Sequence, residues 1–232
     1  MGFKPMSLKT NYIGHDAQYK RFKAEGMNGW NDEQDWKAWE EALEDLCKDL
    51  VFPKSGKLLE LGCGAGEVSL FFAEKGYQVY GIDIAPTAIE WAREKALKAG
   101  LQVNFEAGDV TKLGRWEDDY FDIVIDGHCL HCIIGDDRAQ VLKETYRVLK
   151  SGGLFYISTM CGELKDPESK PFFNLENRCI MSRDGQIATR YIGLPADIII
   201  EIESAGFKIV KSKIDNSKDF ISQDLTVYAI KQ

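Results

Sequence analysis

The stretch Leu58-Leu59-Glu60-Leu61-Gly62-Cys63-Gly64-Ala65-Gly66-Glu67 decides the fold. An apolar run of strand character enters three alternating glycines, and a helical segment starts at Glu67. Glycines permit a tight turn and let a ligand reach the backbone with no Cβ in the way. A dinucleotide-binding loop requires Gly-x-Gly-x-x-Gly. Gly62 and Gly64 fit that pattern, but its third position is Glu67, and a carboxylate there opposes a pyrophosphate seated at a helix N-terminus. No Gly-Lys-Ser/Thr follows, so the loop is not a P-loop. Glu60 and Glu67 flank it, which suits a ligand that is neutral or positive at this point.

Working outward, short apolar runs alternate with helical segments. Strands are expected at Lys57–Leu61, Gln78–Ile82, Gln102–Glu106, Phe121–Asp126 and Leu154–Ser158. Helices are expected at Glu67–Lys75 and Pro86–Ala99, the second with Pro at its start and Gly100 past its end. Asp136 can cap a further helix carrying Val141, Leu142, Thr145, Tyr146 and Leu149. Such alternation implies an α/β, doubly wound, mostly parallel sheet with helices on both faces. Upstream, Trp36, Trp39, Leu43, Leu46 and Leu50 fall on one helical face. Residues 1–32 read as a polar arm with scattered aromatics. Downstream, Asp184-Gly185 marks a small hairpin between Cys179–Arg183 and Gln186–Tyr191. A last helix at Pro195–Ala205 precedes two strands, Phe207–Ile214 and Leu225–Ile230, whose short connection makes them an antiparallel pair.

Acidic residues recur at the C-terminal ends of the strands, where open α/β sheets bind ligands. Asp83 follows the second strand, where a carboxylate can accept both hydroxyls of a ribose or cap the helix that starts at Pro86. Asp109 follows the third strand within Gly108-Asp109-Val110 and could accept from an exocyclic amine, although Gly-Asp is also common turn chemistry. Asp126 ends the fourth strand, Phe121-Asp122-Ile123-Val124-Ile125-Asp126. With Val148-Leu149-Lys150-Ser151-Gly152-Gly153 after the next helix, these pieces resemble the class I, Rossmann-like S-adenosylmethionine-dependent methyltransferases, in the branch of quinone-biosynthesis and other small-molecule enzymes. The resemblance covers residues 55–160. It implies a seven-stranded sheet whose last strand alone is antiparallel, and S-adenosyl-L-methionine as cofactor. It also implies that Gly62 and Gly64 approach the methionine part, with Cys63 and Gly66 in the same loop. Asp83 would hold the ribose, Ile84 pack on adenine, Asp109 and Val110 read the adenine edge, and Glu60 support the amino group. A sulfonium and an ammonium suit a pocket lined by glycines and acids, Asp126 among them.

The segment Asp126-Gly127-His128-Cys129-Leu130-His131-Cys132 should lie near the transferable methyl. It lacks Asn/Asp-Pro-Pro-Tyr/Phe, with which the DNA-adenine and some protein-glutamine members of the resembled family hold a planar amine or amide, so the resemblance argues against those acceptors. His128 and His131 are candidate general bases, since imidazole titrates near neutrality, with packing or capping as the plain alternative. Cys129, Cys132 and Cys161 could bind a soft acceptor such as arsenite. No second ligand pair at zinc-site spacing accompanies Cys129 and Cys132, so no metal site is expected. Tyr12, Tyr19 and Trp30 are candidate lid residues over the cofactor, or simple packing of the arm. Phe172, Phe173, Arg178, Arg183, Arg190 and Tyr191 could line the acceptor pocket, Arg183 being better read as a solvated hairpin tip.

The chain's 232 residues suit one domain, with 29 Lys and Arg against 37 Asp and Glu for a net charge of -8. That balance discounts nucleic acid and anionic lipid as partners. No apolar run reaches the length of a membrane span, and none of signal-peptide type opens the chain. Six cysteines in a chain of this size read as reduced thiols in the cytoplasm. The expected division is an arm and helix (1–50), a cofactor-binding core (51–160), an insertion forming the acceptor lid (161–194), and a closing helix and hairpin (195–232). The expected function is methyl transfer to a small molecule. The alternatives are an RNA or protein methyltransferase, or a cofactor-binding protein without transferase activity. Oligomeric state is left open.

Overall fold

The computed structural model describes residues 8–30, 33–216 and 221–232. Residues 1–7, part of the expected arm, lie outside the described residues. In chain order the elements are α1 (Ile13–Ala24), α2 (Glu33–Lys48), β1 (Lys57–Leu61), α3 (Glu67–Glu74), β2 (Gln78–Asp83), α4 (Pro86–Ala99), β3 (Asn104–Ala107) and β4 (Phe121–Gly127). They continue with a 3-10 turn at Leu130–Cys132, α5 (Asp136–Val148), β5 (Leu149–Cys161), β6 (Phe173–Asn174), β7 (Cys179–Met181), β8 (Ala188–Tyr191), α6 (Pro195–Ser204), β9 (Phe207–Asp215) and β10 (Gln223–Lys231).

Seven strands form one sheet in the order β3-β2-β1-β4-β5-β10-β9. The pairs among β3, β2, β1, β4 and β5 are parallel, and β10 runs antiparallel to both β5 and β9. The last strand of the chain is therefore the single reversed one. Alternate strand residues feed opposite faces, the period of two inherent to a strand. Leu59, Leu61, Val124, Phe155, Ile157 and Val227 meet Val141 and Leu142 of α5 and Ile198 and Ile202 of α6. Leu58, Val79, Ile123, Ile125, Tyr156 and Tyr228 meet Leu43 and Leu46 of α2 and Phe71 and Phe72 of α3 on the other face. Both faces are covered, which is why the central strands are apolar nearly throughout. Ile157 is fully buried between strand neighbours. Ile157→Val is expected to cost about 1 kcal/mol, measured by urea unfolding, since the lost methylene leaves a small cavity.

Four readings are corrected. Residues 13–24 form α1, although only Tyr19 and Phe22 of its described side chains are buried, against Ala88 and Trp91 of α4. Gly135, not Asp136, caps α5, because its φ of +60° turns the chain before the first helical residue, Asp136. β5 begins at Leu149, so Gly152-Gly153 lies within the strand as an irregularity in its pairing with β4 rather than before it. Leu50 lies beyond α2 and is 95% exposed, off the face shared by Leu43 and Leu46. The expected hairpin after residue 178 is present as β7 and β8, extended by β6 to a three-stranded antiparallel sheet.

Candidate functional site

β1, β2 and β4 are neighbours in register, so Glu60, Asp83 and Asp126 converge at their C-terminal ends. All three carboxylates are buried. Burial raises Glu60 to about 8, with the charges of Glu67 and Asp83 adding to it and a hydrogen bond from Ser69 Oγ at 2.5 Å opposing. Burial likewise raises Asp126 to about 7, although the backbone amides of Leu130 and Cys129 donate to its Oδ1 at 2.7 and 2.9 Å. Its Oδ2 is buried without a hydrogen-bond partner. Asp83 is raised by burial and opposed by two backbone donors, Ala85 N to Oδ1 at 2.8 Å and Gly64 N to Oδ2 at 2.9 Å. None of the three forms an ion pair among the described residues. Three buried acids sharing one strand-end edge with no cation between them make a site that favours a positive ligand.

The glycine loop meets these acids. Gly62 and Gly64 have φ of +66° and +51°, and a Cβ at Gly62 would collide with Cys129 Sγ, one at Gly64 with the Tyr19 hydroxyl. The approach expected of a ligand is thus made here by the chain's own side chains. The Cys63 amide donates to Ile82 O at 3.0 Å, and burial raises its thiol well above the usual range. Gly66 opens α3 against Phe105 and Ala92.

Of the aromatic arm, Tyr19 is buried with its ring 5.6 Å from that of Trp30, which is 42% exposed. Tyr12 donates its hydroxyl to Asp109 Oδ1 at 3.2 Å. Asp109 also accepts from Thr111 N and Oγ1 and pairs with Lys112 at 3.1 Å, so the turn reading of Gly108-Asp109 holds locally. Ile84 is half-buried just past β2, and Val110 is buried in the main core. The structure thus brings Tyr12 to Asp109 and Tyr19 to Gly64, while Trp30 packs on Tyr19 and Phe22.

The two histidines differ. His131 is buried, its Nδ1 lacks a partner, and burial with the nearby His128 charge holds it well below the usual imidazole range. His128 has a φ of +68°, uncommon for a residue with a side chain. Its ring stands edge-on to Trp39 at 5.2 Å, and its Nε2 lies 3.4 Å from Asp224 Oδ2. Asp224, on β10, is fully buried and accepts from Ser158 Oγ of β5 at 2.9 Å. Sequence reading missed Asp224, Ser158 and Ser69. An acid opening an apolar strand was the available signal for Asp224. Cys129 and Cys132 are raised by burial, Cys132 to about 11, which keeps both as thiols near neutrality. Among the described residues no group of three or more His, Cys, Asp or Glu is placed to hold a metal. Arg183 is exposed at the β7–β8 turn.

Residues 59–157 match the profile of the methyltransferase domain family. The demethylmenaquinone methyltransferase of Leptospira interrogans is 30% identical over 171 residues, 71% of this chain. The chain spans 64% of that relative's length. A Pyrococcus horikoshii protein of known structure superposes with a TM-score of 0.69 at 26% identity, covering 86% of this chain and 92% of its own. The Burkholderia thailandensis 1,6-didemethyltoxoflavin-N1-methyltransferase, solved with its substrate and S-adenosylhomocysteine, superposes at 0.66 with 20% identity, covering 93% and 84% of the two chains, and shows the shared fold. A doubly wound sheet with this strand order, carrying a glycine loop and acids at its strand ends, defines a methyltransferase-type domain. Residues 59–157 thus carry a methyltransferase domain, and the chain is similar to quinone-biosynthesis methyltransferases over 71% of its length. No helix of the described residues is long and apolar enough to cross a membrane.

Proposed function

We propose that this chain transfers a methyl group from S-adenosylmethionine to a small-molecule acceptor. The observation that carries the reading is the trio of buried carboxylates, Glu60, Asp83 and Asp126, with no cation between them at the mouth of the glycine loop. Their donor set fits a ligand bearing an ammonium and a sulfonium. When bound, S-adenosylmethionine supplies a methyl on an already activated leaving group.

In this proposal Glu60 holds the amino group, Gly62 to Gly66 with Cys63 form the loop beside the methionine part, and Asp83 takes the ribose hydroxyls. Each Asp83 oxygen keeps a lone pair beyond its backbone bond. Ile84 packs on the adenine, Asp109 and Val110 lie at its edge, and Asp126 Oδ2 adds negative charge near the sulfonium. Tyr12, just before α1, and Tyr19 within it cover the site, with Trp30 outside them, and exclude water. Residues 161–194 close the acceptor side. Where the acceptor must lose a proton, His128 takes it. Asp224 accepts from Nε2–H and leaves Nδ1 as the basic atom, while His131 stays neutral and lines the wall. All six thiols are free, in keeping with the cytoplasm. Calorimetric titration with S-adenosylmethionine and S-adenosylhomocysteine tests the reading. Both are expected to bind, and absence of binding of either at millimolar concentration overturns it.

A further inference from the structure

Three arginines, Arg138, Arg178 and Arg190, lie on or against the small sheet of residues 173–191, and two of them are fully employed. Arg138 of α5 pairs with Glu201 at 2.7 Å, donates to Leu130 O and Ile133 O, and lies over the Tyr191 ring at 4.3 Å. Arg178 donates to Ile192 O at 2.7 Å and to Gly162 O, and lies over the Phe173 ring. Both hold backbone in place. Arg190, at the end of β8, does neither. Its Nε is buried without a partner, and no ion pair or hydrogen bond reaches its side chain among the described residues. β8 packs directly against the 3-10 turn Leu130–Cys132. Arg190 lies close enough to His131 and Cys132 for its charge to oppose protonation of the one and favour ionisation of the other. His131 Nδ1, on that turn, is the second buried polar atom there without a partner.

Buried polar atoms are nearly always paired, and Arg190, itself half-buried, has its Nε sealed from water with no partner. A fixed fork of N–H donors, with a neutral imidazole beside it, fits an oxyanion. The acids Glu60, Asp83 and Asp126 gather at the strand ends, whereas Arg190 of the insertion faces His131 on the turn after β4. We infer that Arg190 is the anchor for an anionic oxygen of the acceptor, so that the substrates of this site are small organic acids. The inference rests on the methyl-transfer reading above, and it adds a charge requirement that the reading lacks. It also gives the insertion a role, because β8 carries Arg190 against the turn Leu130–Cys132 that follows β4.

The test uses the full chain saturated with S-adenosylhomocysteine. Benzoate and hexanoate are titrated beside their neutral counterparts, benzamide and hexanamide, with binding read by ligand-observed NMR. Each acid is expected to bind at least about tenfold more tightly than its amide. Arg190→Gln should erase that preference and leave S-adenosylhomocysteine affinity unchanged, and Arg190→Lys, which keeps the charge, should retain part of it. Equal binding of acids and amides, or binding of neither to the wild-type complex, overturns the inference. Weakened S-adenosylhomocysteine binding in a folded Arg190→Gln variant overturns it too, since Arg190 would then serve the donor's own carboxylate. Failure of the wild type to bind S-adenosylhomocysteine is a separate outcome that removes the methyl-transfer reading itself. Should Arg190→Gln not fold, the acid–amide comparison on the wild type and on Arg190→Lys still decides.

Discussion

Asp83→Ala is expected to weaken S-adenosylhomocysteine binding by about a hundredfold or more, because each charge-assisted bond to a ribose hydroxyl contributes about 1.5–3 kcal/mol. The same change frees two backbone amides, those of Gly64 and Ala85, that the carboxylate now engages at 2.9 and 2.8 Å. Asp83 therefore shapes the glycine loop as well as facing the ligand. Asp83→Asn separates the two roles. Its amide oxygen can still accept from one backbone amide, but the charge and the second acceptor are gone. Calorimetry gives the affinity, and thermal unfolding without ligand gives the stability. Lost affinity with a retained melting temperature assigns Asp83 to the ribose. A collapse of the fold in both variants, with affinity intact in whatever folded fraction remains, assigns it to the turn alone.

The core was readable because its signals are local. Lys57–Leu61 and Pro86–Ala99 match the expected bounds, since glycines and a proline punctuate them and no distant contact has to be known. α1 was not readable. Its described residues show no apolar stripe, and the helix is held by tertiary contacts, the Asp16 carboxylate on the Thr87 amide and Lys23 on Glu94. The site divides in the same way. Acids at strand ends follow from the strand pattern, so Glu60, Asp83 and Asp126 could be placed together in advance. Tyr19 against Gly64 and Cys129 against Gly62 depend on how α1 and the segment after β4 fold back. Asp224 lies 96 residues from His128, and only the insertion of β10 beside β5 brings the two into contact. Pairings of that kind leave no spacing signature.

The affinity for S-adenosylmethionine is expected to rise steeply between pH 6 and pH 8. Asp126 and Glu60, raised to about 7 and about 8, are largely protonated at the lower pH. A cationic ligand selects their ionised forms. The ionised fraction is 1/(1 + 10^(pKa − pH)), so over this window it grows about tenfold for Asp126 and about fiftyfold for Glu60. If both must ionise, affinity gains a factor of about 500, and binding at pH 6 releases up to about two protons. Calorimetry in buffers of different ionisation enthalpy counts those protons directly. Asp126→Asn should remove the smaller factor and Glu60→Gln the larger, each flattening the profile to what the other acid leaves. The stability of the free protein runs the opposite way. Unfolded Asp and Glu titrate near about 4, so above that pH the folded state holds protons that the unfolded state has released, and folding weakens as pH rises toward 8. Ligand binding should therefore stabilise the chain most where the free chain is least stable. An affinity unchanged between pH 6 and pH 8 would show that neither acid faces the donor's charge.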